Sequence, residues 1–187
     1  MDPSPGAALI VVDVQLGLED STYWGSRNNP DADRNIAALL DHWHANRRPI
    51  VVVRHDSVEA ASPLRPGLAG NSLKDYVAAI PPTLLVTKSV NSAFYGTPDL
   101  HAWLQQSGIE QIVIVGIQTN MCCESTARMG ADLGYSVVFA PDATYTFDQE
   151  GPDGSLLSAD DLAAATVANL HGGGFARIAA TADLLTI

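Results

Sequence analysis

Six short runs of apolar, mostly β-branched residues recur along the chain: AALIVVD (7–13), PIVVVR (49–54), TLLVTK (83–88), QIVIVG (111–116), SVVFAP (136–141) and FARIAAT (175–181). Runs that are apolar at consecutive rather than alternate positions need cover on both faces, as strands in the middle of a sandwich have. Between most of them lie helical stretches with start and stop signals. Asn29, Pro30 and Asp31 open a stretch over 30–47, Thr97 and Pro98 open one closed by Gly108, and Ser158 stands as the cap of ADDLAAATVANLHGG. Strands alternating with helices imply parallel neighbours, because parallel pairing requires crossover connections. The expected fold is therefore α/β, a three-layer α/β/α sandwich on a mainly parallel, roughly six-stranded sheet. At 187 residues, 47% hydrophobic and 17% charged, the chain fits one domain over 1–187. The segments 55–72 and 142–157 read as long Gly/Pro/Asp-bearing loops and are expected to shape a site.

A formal net charge of −11 excludes a phosphate-backbone partner, since counterion release needs clustered Lys and Arg. No nucleic acid is expected. The start MDPSPGAALIVVDV has no basic segment, and its apolar run is too short to span a bilayer, so neither membrane partner nor signal peptide is expected and the location reads as cytoplasmic. Cys122 and Cys123 are the two cysteines, which is neither a disulfide framework nor a Cys-rich zinc site. A bridge between neighbours would strain a short ring, so free thiols are expected. There is no GxGxxG and no Walker-type loop, and HGGGF (171–175) follows a helix and precedes a strand, the reverse of a dinucleotide turn. No cofactor is implied.

In a sheet of this kind ligands bind beyond the carboxyl ends of the strands. Asp13 closes the first run, Lys88 closes the third, and the cysteine pair begins the helix after the fourth, so an acid, a base and a thiol fall on one edge. Asp13 follows consecutive apolar residues and would be partly desolvated, a setting that suits a carboxyl for proton transfer. Each of these residues has a plainer role open to it: Asp13 as helix cap or strand-end ion pair, Lys88 as a solvated strand end. A cysteine at a helix N-terminus feels the positive end of the dipole and unpaired N–H groups, which favour thiolate over thiol. His55 is a rival base for a Cys–His pair and equally a pocket or surface residue. The other histidines, 42, 44, 101 and 171, sit on helices and are expected to face water. RHD (54–56) is the one compact metal candidate in the sequence, and no metal is assigned. Tyr23, Trp24, His55, Asn91, Phe94 and Tyr95 lie on or near loops at the active edge, as do Asn120, Tyr145 and Phe147. They are candidates to line a partly aromatic pocket for a small-molecule substrate.

The sequence resembles the isochorismatase-like cysteine hydrolases, which include nicotinamidases and N-carbamoylsarcosine amidohydrolases. ALIVVDVQ is similar to their first-strand motif, VTKSVNSAFYGTPDL to their lysine segment, and VGIQTNMCCESTARMGADLGYSVVFAPDA to their nucleophile segment. The resemblance implies a triad of Asp13, Lys88 and Cys122, with Cys122 six residues after Gly116. It also implies a cis peptide joining Ile117 to Gln118 and an oxyanion hole built from the backbone N–H groups of Gln118 and Cys122. Cys123 shares a helical face with Ala127, Gly130, Ala131 and Gly134, which suits close packing on the sheet. The chain departs from the nicotinamidase branch, whose metal site uses an Asp-x-His element with a further His. Isochorismatase proper lacks the nucleophilic cysteine, so an amide, ureide or lactam C–N bond cleaved through a thioester is the reaction implied. A homo-oligomer, dimer or tetramer, is implied as well. The alternatives are a catalytically silent small-molecule binding protein of the same fold and a thiol sensor that uses the vicinal pair.

Overall fold

The computed structural model describes residues 6–186. The apolar runs pair into one sheet in the order β3-β2-β1-β4-β5-β8, with every neighbouring pair parallel. The strands are β1 Ala8–Val12, β2 Ile50–His55, β3 Leu84–Lys88, β4 Gln111–Ile117, β5 Ser136–Tyr145 and β8 Arg177–Ile178. A separate antiparallel ribbon joins β6 Gln149–Glu150 to β7 Leu156–Leu157. The helices are α1 Ser21–Trp24, α2 Ala32–Ala45, α3 Asp75–Ala78, α4 Leu100–Gln106, α5 Glu124–Asp132, α6 Ala159–Gly172 and α7 Thr181–Leu184. The strand order reverses direction between β1 and β4, which opens a crevice at their carboxyl ends.

Side chains alternate across β1, so Leu9 and Val11 enter one apolar layer while Ala8, Ile10 and Val12 enter the other. The first layer is closed by Ile36, Leu39, Leu40 and Trp43 of α2 together with Leu184 of α7. The second is closed by Leu100 and Leu104 of α4, Ala127 of α5 and Leu170 of α6. Helices thus cover both faces of the sheet. Trp43 is wholly buried and its indole N–H donates to the Ala7 carbonyl at 3.0 Å, so the ring packs without an orphaned donor.

Helix starts follow local chemistry. Ser158 Oγ accepts from the Asp161 N–H at 3.1 Å and opens α6 as expected. The segment expected to open at Thr97 opens instead at Asp99, whose carboxylate accepts from the Ala102 N–H at 3.0 Å. Two expectations about extent are corrected. FARIAAT keeps only two residues as strand, whereas SVVFAP continues past Pro141 to Tyr145, through a register shift against β4 between Ile114 and Gly116. The 142–157 segment is therefore strand and ribbon over much of its length rather than open loop. Gly116 has φ +123°, and a Cβ there would lie 2.1 Å from the Val12 carbonyl oxygen, so a side chain would force β4 away from β1 at the crevice.

Candidate active site

Each strand that ends at the crevice delivers one functional group. Asp13 follows β1 in a left-handed conformation, φ 50°, and its N–H donates to the Val53 carbonyl at 2.9 Å. That turn carries its carboxyl into the crevice, where the residue is only 2% exposed. His55 ends β2 and pairs in register with Lys88, which ends β3. Gln15 clamps the His55 backbone from both sides, accepting its N–H at 2.8 Å and donating to its carbonyl at 3.0 Å. Beyond β4 the peptide joining Ile117 to Gln118 is cis, and a π-helical turn over Thr119–Cys123 leads into α5. The Gln118 carbonyl accepts the N–H groups of Met121 and Cys123 at 3.2 and 3.1 Å, which closes the turn and sets Cys122 at its inner side.

Lys88 is the hub of this arrangement. Its Nζ lies 2.5 Å from Asp13 Oδ2, 3.0 Å from His55 Nδ1 and 3.4 Å from Cys122 Sγ. An ammonium has three hydrogens and no lone pair, so all three are engaged. The His55 Nδ1 that faces it must carry the lone pair, and the ring proton resides on Nε2. The second carboxylate oxygen, Asp13 Oδ1, is buried without a hydrogen-bond partner among the described residues.

Burial by itself would lower the Lys88 pKa, but the Asp13 carboxylate and then Cys122 outweigh it and raise it above the ordinary lysine value. Burial pushes the Cys122 thiol up, and the Asp13 charge adds to this; Lys88 opposes both without prevailing. Burial and the facing carboxylate thus weigh against the thiolate that the helix terminus was expected to favour. Burial, then the Lys88 charge, holds His55 below the ordinary imidazole value. Cys123 is wholly enclosed in the second apolar layer and its thiol is also raised, by burial first.

Asp13, His55 and Cys122 each offer a donor atom within 4.8 Å of the others, the spacing of a metal site. These are the three groups that the Lys88 ammonium already bridges, so a cation of the chain's own serves this donor set. In RHD, Asp56 is held by Arg54 through contacts of 2.8 and 3.0 Å and by Asn71 at 3.0 Å, which turns it away from joint ligation with His55.

A cavity of about 520 Å³ opens above the group. Asp13, Gln118 and Cys122 line it, and so do Tyr23, Trp24, His55, Asn91 and Phe147 among the residues the sequence singled out. Phe94, Tyr95 and Asn120 do not. Phe94 turns inward and stacks on Tyr135 with ring centroids 5.8 Å apart, Tyr95 is 72% exposed, and Asn120 is held by the Thr146 hydroxyl at 2.5 Å. Tyr145 lies in the core beneath Phe147, their rings edge to face. The sequence reading missed Ser57, Glu59, Ser62, Met121, Asp148 and Gln149, all at the cavity wall. The hydroxyls of Ser57 and Ser62 accept the Glu59 and Leu64 N–H groups at 3.2 Å each, curling the loop after β2 over the site. Such turns carry no hydrophobic period by which a sequence pattern could reveal them. Of the remaining histidines, 44 and 171 are exposed as expected, while His101 is half-buried and bonded to the Tyr135 hydroxyl at 2.8 Å.

The isochorismatase domain family matches residues 7–170, a span that holds Asp13, His55, Lys88 and Cys122. The chain belongs to the isochorismatase family. A crystal structure of an isochorismatase-family hydrolase from Chromobacterium violaceum ATCC 12472 superposes on it with a TM-score of 0.90 at 38% identity, covering 98% of this chain and 93% of that one. The isochorismatase-family protein YrdC of Bacillus subtilis (strain 168) is 33% identical over 95% of this chain and 94% of its own length. Nicotinamidase 3 of Arabidopsis thaliana is 29% identical over 81% of this chain and 79% of its own. This isochorismatase-family protein is a hydrolase.

Proposed function

We propose that this isochorismatase-family hydrolase cleaves an amide, ureide or lactam C–N bond of a small molecule through a Cys122 thioester. The observation that carries the reading is the buried Lys88 ammonium, bonded at once to the Asp13 carboxylate and the Cys122 sulfur, beneath a cavity of small-molecule size. As the Cys122 sulfur attacks the substrate carbonyl, its proton passes to Asp13, whose unpartnered Oδ1 has the free lone pairs, and Lys88 compensates the charge on sulfur. The backbone N–H groups of Gln118 and Cys122 take the oxyanion, as donors set for the tetrahedral geometry. Collapse breaks the C–N bond, and Asp13 returns the proton to the leaving nitrogen. The carboxylate then accepts a proton from an attacking water, and the acid leaves as the thiol is restored.

The experiment is ammonia or amine release over a panel of small amides, ureides and lactams, with intact-mass detection of an acyl adduct. Cys122→Ala should abolish release and adduct while the protein still melts cooperatively. Cys123→Ala should keep substantial activity, since its sulfur is enclosed in the apolar layer. An essential Cys123 beside a dispensable Cys122 would overturn the assignment.

A further inference from the structure

The wall of the cavity is one-sided in charge. Glu59 from the loop after β2 and Asp148 from the segment after β5 line it, and among the described residues no Lys or Arg does. The Lys88 ammonium below is matched by Asp13. Nearby guanidiniums are committed too: Arg54 to Asp56 at 2.8 Å, and Arg27 to Asp33 at 3.1 Å and to the Tyr145 ring, 4.2 Å from its centroid. Asp148 gives one oxygen to the N–H of Ala159 at 2.8 Å, which leaves its other oxygen for the cavity. Aromatic side chains line the same cavity. Trp24 and Phe147 stack with centroids 5.5 Å apart at 20°, and Tyr23 meets Trp24 edge to face at 4.7 Å.

Aromatic faces beside carboxylates, in a cavity without a cationic counterpart, match a positively charged ligand: ring quadrupoles attract cations, and the carboxylates supply the counter-charge. An anionic substrate would meet two like charges and no partner there. We infer that the site takes small amides carrying a cationic group, an ammonium or an alkylated ring nitrogen, and rejects those carrying a carboxylate. The inference rests on the proposed thioester reading for the reaction, while the charge preference itself belongs to the cavity. The reacting carbonyl sits over Cys122, and the cationic group lies against Trp24 and Phe147, toward Glu59 and Asp148.

The test reads charge preference without needing turnover. In a Cys123→Ala background, Cys122 is modified with trimethylammonioethyl methanethiosulfonate or with sulfonatoethyl methanethiosulfonate, each rate being divided by that for the unfolded chain. The cationic reagent should be favoured by about tenfold or more at low salt, and less so at about 0.5 M. Glu59→Gln with Asp148→Asn should bring the ratio close to one, the Asn side-chain oxygen still capping Ala159. Asp41→Asn with Asp132→Asn removes equal charge from exposed helix positions outside the cavity and should leave the ratio unchanged. A wild-type ratio near one, a preference for the anion, or an equal fall in the distal pair would overturn the inference. Should the cavity pair fail to fold, Glu59→Gln alone, at an exposed side chain, must lower the ratio or the inference fails. Loss of the thioester reading shows separately, as amide hydrolysis that survives Cys122→Ala.

Discussion

Asp13 Oδ1 is a buried carboxylate oxygen with no donor, a condition that costs about 1–3 kcal/mol in an ordinary core. At the edge of a cavity beside a thiol it is the place where a proton can be received. Removing the charge should separate two readouts. Iodoacetamide needs only thiolate, and the Asp13 charge holds the Cys122 thiol up, so Asp13→Asn should alkylate at least as fast as the wild type. Amide turnover should nevertheless fall by about 10²–10⁴-fold, because the leaving nitrogen has lost its proton donor. Lys88→Met should slow both. An Asp13→Asn protein with full turnover would remove Asp13 from the mechanism. His55 makes a second prediction. The fold lowers its pKa, so its stabilising contribution is full above the unfolded value of about 6.5 and is lost as pH falls through that value to the lower folded one. Melting temperatures at about pH 7.5 and about pH 5 should therefore differ more for the wild type than for His55→Gln. Equal differences would mean that His55 does not titrate against Lys88.

β5 leads into the segment that brings Phe147, Asp148 and Gln149 to the cavity. Its four residues from Ser136 to Phe139 pair in regular register with β4, Pro141 has no N–H for the ladder, and pairing with β4 resumes at Thr144 and Tyr145. Asn29 holds the detour. In a left-handed conformation, φ 45°, it donates through Nδ2 to the carbonyls of Pro141, Asp142 and Thr144 at 3.4, 3.0 and 2.6 Å. Asn35 adds a bond to the Asp142 carbonyl at 2.6 Å. The strand therefore returns to the crevice and delivers Phe147 and Asp148 to the wall. Asn29→Gly keeps the backbone angle accessible and removes only the side chain, so it should cost about 1–3 kcal/mol by urea denaturation and raise KM more than it lowers kcat. An unchanged KM would detach this brace from the site. The strand before Pro141 was legible from its apolar run, but its continuation was not, since Pro141–Asp142 reads locally as a stop.

Across the whole molecule, the two segments that close the cavity also carry apolar side chains turned to water. Val58 is 82% exposed, Leu156 70% and Leu157 46%, beside an acidic surface that otherwise favours dispersal. We propose that a second copy of the chain covers them, giving a dimer or tetramer. Sedimentation at low micromolar concentration should show that assembly, and Val58→Asp with Leu156→Asp should weaken it. A fully active wild-type monomer would refute it. Among the described residues no helix is long and apolar enough to cross a membrane.

Consecutive apolar runs with capped helices between them determined a parallel sheet covered on both faces, because no other arrangement buries such runs while closing their backbone hydrogen bonds. The strand ends then put Asp13, Lys88 and Cys122 on one edge from their sequence positions alone. What the sequence could not carry is direction and charge balance. Phe94 and Tyr95 are adjacent in a short turn, yet one ring enters the core and the other faces water, a choice made by the space above Gly130, where Phe94 Cε2 would lie 3.3 Å from an added Cβ. Asn120 was drawn off by Thr146, a partner 26 residues away. Nor could the sequence show the two influences that raise the Cys122 thiol, its depth of burial and the carboxylate that faces it. Both depend on strands far apart in sequence meeting at one crevice, and local pattern holds no record of that meeting.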